Sequence, residues 1–204
     1  MLKIWGRTNS VNVKKALWAL EELGVKYERI DAGMQFGVNN TPEYRRMNPT
    51  GLVPTIEDDG FVLWESHSIV RYLAAKHGAG SLWPNELRVR ADAERWMDWA
   101  FTFQAAFRTV FWGLVRTPAE KRDMNAIEEA RKKCAELLAI PDAALRGRQY
   151  LAGSFSMGDI PLGCHVQLWM RLPLERPALP SLKAWFDRLC GRPAFRKIVD
   201  IPLS

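Results

Sequence analysis

The chain has 204 residues, 48% hydrophobic and 25% charged, with 29 Lys and Arg against 23 Asp and Glu for a formal net charge of +6. That size and composition suit one or two compact units with a sizeable core and argue against a disordered polypeptide. Acidic residues are interleaved with the basic ones, and Lys14-Lys15 and Arg131-Lys132-Lys133 carry no interleaved aromatics, so the charge argues against a nucleic-acid surface and leaves a mild attraction for anionic ligands.

Leu2 to Trp5 is a short apolar run ending at Gly6, and Val13, Leu17, Leu20 and Leu23 then recur at helical spacing before Gly24. The chain therefore opens with a strand and a helix. Val25 to Ile30 supplies a second strand, and a crossover of this size implies a right-handed parallel βαβ unit. A long loop through Gly33, Gly37 and Asn39 leads to a weak helical stretch from Glu43 to Met47, closed by Asn48-Pro49. Val53 to Glu57 and Phe61 to Trp64 flank Asp58-Asp59-Gly60, a turn with glycine where positive φ is needed, which predicts an antiparallel hairpin. Ser66 starts a third helix whose apolar face is Ile69, Val70, Leu73 and Ala74.

The order β-α-β-α-β-β-α is that of a thioredoxin-like unit, read as residues 1–78. A linker at 79–86 carries Trp83-Pro84, after which the pattern turns helical. Val89 to Leu114 reads as one long helix rich in aromatics and Pro118 to Leu145 as another, with a break expected near Pro141. No strand pattern follows, so 87–204 is expected to be all-helical and the fold class is α/β plus all-α. Cys134, Cys164 and Cys190 are odd in number and widely spaced, which predicts reduced thiols and neither a disulfide framework nor a metal site. No segment approaches the ~20 apolar residues of a membrane span, and the opening MLKIWGRTNS has no charged stretch followed by a long apolar run. The expectation is a cytoplasmic protein with no membrane or nucleic-acid partner.

Four motifs carry chemistry or mimic it. Thr8-Asn9-Ser10-Val11-Asn12 lies between strand and helix, where a Ser or Asn is commonly just an N-cap. The alternative is that this helix start, with free amide donors and a positive dipole end, holds an anion. If the anion is a thiolate, Ser10 acts as a hydrogen-bond donor to sulfur rather than as a base. In Asn48-Pro49-Thr50-Gly51-Leu52-Val53-Pro54, a turn explains Pro49 and Gly51. A cis bond before Pro54 would turn the Val53 backbone outward to clamp an extended peptide. Glu65-Ser66 stands at a strand-to-helix switch, where Ser66 is either an N-cap or, with Glu65, a receptor for the carboxylate and ammonium of an α-amino acid. Phe155-Ser156-Met157-Gly158-Asp159-Ile160 reads as a capping box with a hydrophobic staple, and His165 after it as a core or pocket-wall residue.

Together these segments resemble the glutathione S-transferases, especially their bacterial theta-like group. The likeness spans nearly the whole chain and includes Trp5 to Ser10, Asn48-Pro49 with Val53-Pro54, Trp64-Glu65-Ser66 with Arg71-Tyr72-Leu73, Trp96-Met97-Asp98-Trp99, and Arg192 to Lys197. The resemblance implies conjugation of glutathione, as co-substrate, to small electrophiles such as halogenated compounds. It places Ser10 at the thiolate with Asn12 as a second donor. Val53 would pair with the cysteinyl part beside a cis Pro54, Glu65 and Ser66 would take the γ-glutamyl end, and Asn39 or Asn40 the glycyl end. It also implies a homodimer, and an electrophile pocket between the units lined by Arg7, Phe107, Arg108, Phe111 and Trp112 with Trp169 opposite. His67 departs from the small or amide residue of many relatives, and Pro141 falls in a segment that relatives keep helical. Peroxide or disulfide reduction through the same thiolate, and a non-catalytic binding protein of the same fold, are the competing readings.

Overall fold

Buried Leu2, Ile4 and Trp5 seat β1 (Leu2–Trp5) at the centre of a four-stranded sheet of order β2-β1-β3-β4, with β2 at Tyr27–Ile30, β3 at Thr55–Asp58 and β4 at Phe61–Trp64. The computed structural model describes residues 1–203. β1 pairs in parallel with β2 and antiparallel with β3, and β3 antiparallel with β4, so the predicted βαβ crossover and hairpin are both present. Asp59 and Gly60 close the hairpin with φ of 51° and 85°, the double left-handed turn that matches strand twist. With α1 (Val11–Glu22), α2 (Pro42–Met47) and α3 (Ser66–His77) the unit is thioredoxin-like.

α1 differs from the single apolar stripe that its periodicity suggests. Every residue from Val13 to Leu20 is buried, Lys14 and Lys15 included. The helix is enclosed because α3 packs on it from the sheet side, and α6 (Asp159–Arg171) and α8 (Pro193–Ile198) pack on it from the helical unit. Trp18 is fully buried against Phe155 and Phe195, with ring centroids at 5.7 and 5.0 Å. Gly163 lets α6 approach this closely, since a Cβ there would lie 3.0 Å from the Trp18 ring. Arg192 clasps Glu22 at the other end of α1 through two 2.7 Å hydrogen bonds.

The helical unit begins with α4 (Leu87–Phe111), whose first amides Arg88 and Val89 donate to the Glu86 carboxylate at 2.9 and 2.8 Å. A π-helical turn, Trp112–Arg116, continues it. α5 spans Met124–Ala144 and starts later than Pro118, because Asp123 caps it by accepting from the Ala126 amide at 2.9 Å while Ala119–Lys121 forms a separate 3-10 turn. The expected early end at Pro141 does not occur. That residue sits in the last turn and is itself buried, and the neighbouring Asp142 accepts the Leu182 amide of α7 (Pro180–Cys190) at 2.9 Å.

Before α6, the Ser156 amide donates to Asp159 at 3.0 Å, one half of the expected capping box, but the Ser156 hydroxyl accepts from the Gly158 amide at 3.3 Å and the N-cap of α6 is Gly158, with no side-chain cap. Fully buried Asp159 also accepts from the Leu151 amide at 3.0 Å and from the Trp185 indole at 2.8 Å. Burial nevertheless pushes its carboxyl up to about 6. Among the described residues no helix is long and apolar enough to cross a membrane. Cys134, Cys164 and Cys190 are free thiols.

Candidate functional site

Ser10 occupies the N-cap of α1 with extended backbone (φ −78°, ψ 123°), yet its side chain makes no capping hydrogen bond. The ordinary reason for a serine here is thus missing, and the hydroxyl borders a cavity of about 440 Å³. One side of that cavity comes from the thioredoxin-like unit through Arg7, Ser10, Asn12 and Val53. The other side comes from α4 and its π turn, through Gln104, Phe107, Arg108, Phe111, Trp112 and Arg116, and from α6 through His165 and Leu168. A smaller pocket lined by Pro54, Trp64, Glu65 and Ser66 shares Asn12 and Val53 with it, so the two form one groove bent at the start of α1.

The loop before β3 is held rigidly from below. The Tyr44 hydroxyl donates to the Leu52 carbonyl at 2.6 Å and lies 2.7 Å from the Thr55 hydroxyl, and the Asn48 amide donates to the same two oxygens at 2.9 and 3.0 Å. Asn39 donates to the Gly51 carbonyl at 2.7 Å. None of these bonds uses the Val53 N–H or carbonyl, and the Val53-Pro54 bond is cis as expected. Asn39 serves the loop, and neither it nor exposed Asn40 lines either cavity.

At the switch from β4 to α3 the expected cap is shifted by one. Glu65 is the N-cap, with φ of 71°, and Ser66 is the first helical residue. A left-handed backbone is costly for a residue with a Cβ and tends to persist where a site needs it. Here it sets a carboxylate and a hydroxyl side by side in the small pocket, with the Ser66 hydroxyl 3.5 Å from Asn12 Oδ1. His67 does not enter the groove. It is buried and stacked on Phe101 with ring centroids 4.0 Å apart, and its Nε2 lies 3.0 Å from Lys15 Nζ. Burial, and then the nearby Lys15 charge, push His67 down to about 2, so it is neutral.

The large cavity is apolar on one side and cationic around it. Arg108 lies over the Trp112 ring at 5.8 Å and Arg116 over Phe111 at 5.9 Å. Arg7 donates to Asn9 at 2.8 Å while its Nε is buried without a partner among the described residues. Burial and the neighbouring Arg116 lower the Arg7 pKa. Among the described residues the lining holds Arg7, Arg108 and Arg116 and no Asp or Glu. Of the expected wall residues, Trp169 lies outside the lining. It is buried behind Phe103 and Phe107, with ring centroids at 6.4 and 6.0 Å, and His165 and Leu168 take the cavity side of α6 instead. Nδ1 of His165 donates to the Pro161 carbonyl at 2.9 Å, and burial keeps the ring neutral by pushing it down to about 3. Gln104 and Arg116 are additions to the expected set. Arg116 continues the Arg108-Trp112 spacing by one more turn, but past the point where the helix widens.

Family models of the glutathione S-transferase N-terminal and C-terminal domains match residues 1–75 and 99–193. The chain is 46% identical over 208 residues, and over the full length of both, to glutathione S-transferase GstB of Escherichia coli. It is 32% identical to glutathione S-transferase 4 of Zea mays, covering 98% of this chain and 92% of the relative. Among solved structures, the theta class glutathione S-transferase of Xanthomonas axonopodis pv. citri with glutathione bound superposes with a TM-score of 0.96, at 51% identity and covering 100% of this chain and 99% of that one.

Proposed function

Because the chain belongs to the glutathione S-transferase family and shares its two-part fold, we propose that it binds glutathione along the bent groove as a thiolate and conjugates it to small halogenated electrophiles. The observation that carries this reading is the Ser10 hydroxyl, idle as a cap and bordering the large cavity two residues before Asn12, which lines both arms of the groove.

In this reading Glu65 accepts the ammonium of the γ-glutamyl end and Ser66 receives its carboxylate at the start of α3. The Val53 backbone pairs with the cysteinyl unit as a neighbouring strand would. That places the sulfur beside Ser10 and Asn12 at the positive end of α1. Residues 1–78 thus supply the glutathione side and 87–204 most of the wall for the electrophile. The glycyl end is left to groups other than Asn39, whose amide is already engaged.

Neither buried histidine is a base for the thiol, since one faces away from the groove and the other is strongly depressed. The thiol proton therefore passes to water, and Ser10 donates to the anion that remains. Sulfur then attacks the carbon held against Phe107, Phe111 and Trp112, the carbon–sulfur bond forming as the carbon–halogen bond breaks and halide leaves. Holding both reactants at this distance is the larger part of the catalytic effect. The guanidiniums of Arg7 and Arg108 in the cavity lining favour electrophiles that carry a negative charge, such as halogenated acids, over neutral ones.

Calorimetry with glutathione is expected to give a saturable heat, and a panel of halogenated acids, halogenated aromatics and hydroperoxides is expected to turn over fastest with the acids. An absence of saturation, or turnover confined to peroxides, would overturn the assignment. We further place the protein in the cytoplasm as a homodimer acting in detoxification, with exposed Phe61, Leu87 and Phe101 as apolar surface available to a second copy. Light scattering on the purified protein tests the dimer.

A further inference from the structure

Lys15 is fully buried one turn into α1, and its Nζ lies 2.9 Å from Asn12 Oδ1, 3.0 Å from His67 Nε2 and 3.3 Å from Gln104 Oε1. Three neutral acceptors, from α1, α3 and α4, meet the three protons of an ammonium. Among the described residues no carboxylate contacts it. Glu65 acts on it from the start of α3, Cys164 and His165 from α6, and His67 from α3. Burial pushes the ammonium down to about 7. A charge buried with only neutral partners is expensive, and an apolar side chain of similar size would fill the space more cheaply.

The cluster is built around the groove without entering it. Asn12 and Gln104 both line the large cavity and Lys15 does not. Asn12 Oδ1 is turned inward, accepting from Lys15 at 2.9 Å and from the Ser66 hydroxyl at 3.5 Å, which leaves its amide protons for the groove beside Ser10.

We propose that Lys15 is a positioning residue for the sulfur: it fixes the Asn12 amide with its NH₂ on the groove and sets a positive charge one amide away from the thiolate. The inference rests on the reading of Ser10 and Asn12 as thiolate donors. It explains why α1 tolerates a buried lysine, and it assigns His67 and Gln104 the task of holding that lysine in place.

The test is the ionisation of bound glutathione, followed by thiolate absorbance across pH in the wild type and in Lys15→Met. Lys15→Met is expected to move the midpoint up by about one unit, a roughly fivefold loss of thiolate at pH 7 from a wild-type midpoint near 7, and Lys15→Arg to restore most of it. An unchanged midpoint overturns the proposal even if turnover falls, because a purely structural lysine would lower activity without moving the titration. Should Lys15→Met lose cooperative melting, the wild type carries the test alone, with lysine side-chain NMR signals titrated in the free protein, with glutathione and with S-methylglutathione. Coupling is reciprocal, so glutathione must raise the Lys15 midpoint more than its thioether does. Equal midpoints overturn the proposal. A wild type that fails to bind glutathione overturns the transferase reading itself, whereas binding and ionisation that ignore Lys15 overturn this inference only.

Discussion

Ser10→Ala separates the two jobs that a serine at a helix start can do. A charge-assisted hydrogen bond to sulfur contributes about 1.5–3 kcal/mol, and at about 1.4 kcal/mol per unit this lowers a thiol pKa by roughly one to two units. With an ordinary thiol near about 8.5, the bound thiol is expected near 7 in the wild type and near 8.5 in the variant. kcat/KM at pH 6.5 should then fall by roughly ten- to a hundredfold. By pH 9.5 both proteins hold thiolate and the gap should nearly close, since the less stabilised thiolate is also the better nucleophile. Removing a capping serine ordinarily costs about 1 kcal/mol of stability, but this hydroxyl makes no capping bond, so the melting transition should move by less than about 0.5 kcal/mol. The assay is a pH–rate profile of wild type and variant with one electrophile, paired with thermal unfolding. An equal loss at every pH together with a clear loss of stability would mean that Ser10 caps the helix and does not touch the sulfur.

The cationic side of the large cavity predicts that Arg108→Ala raises KM for a halogenated acid by about tenfold while a neutral aromatic electrophile changes little, measured by steady-state conjugation. Asp159→Ala leaves the Leu151 and Ser156 amides and the Trp185 indole without an acceptor, at about 1–3 kcal/mol each. Denaturant unfolding should show most of a typical stability of about 5–15 kcal/mol gone. The same carboxyl, raised to about 6 by burial, holds its proton more tightly folded than unfolded, so its contribution to stability is greatest in acid and declines as pH rises from about 4 to 6; Asp159→Asn should flatten that slope. Gly158→Ala would set a Cβ 2.8 Å from the Ala93 carbonyl, against the backbone of α4, and should destabilise by about 1–3 kcal/mol in thermal melts.

The parts of the fold that were legible in the sequence depend on neighbours along the chain. The hairpin needs only Asp59-Gly60 between two apolar runs, and the Ser10 and Glu65-Ser66 positions follow from where strand patterns give way to helical ones. The start of α5 was misplaced because Pro118 and Asp123 both punctuate the chain, and only the side-chain bond from Asp123 decides between them. Trp169 was misassigned for a different reason. From Asp159 to Trp169 every residue of α6 is buried, so its periodicity does not say which face meets the cavity. Arg116 lies outside the expected set because the sequence pattern ends the long helix at Leu114, whereas a π turn carries it on to Arg116.

Lys14 and Lys15 show the same limit from the polar side. As a basic pair they give no sign of burial in the sequence, yet both are buried because α1 is covered by the sheet unit and the helical unit at once. Only that double covering makes the start of α1 a corner of two cavities, so the feature that hides the lysines also sets Ser10 on the wall of the large one. A helix of this kind has no solvent face on which a charge can rest without consequence. Lys14 resolves this by donating to the Val199 carbonyl at 3.1 Å, which ties α1 to the end of α8 and far from the groove. Lys15, one residue on and rotated about 100° around the helix axis, has the groove residues Asn12 and Gln104 as its partners instead. Adjacent lysines are thereby divided between holding the fold and tuning the site, a division set by helical rotation alone.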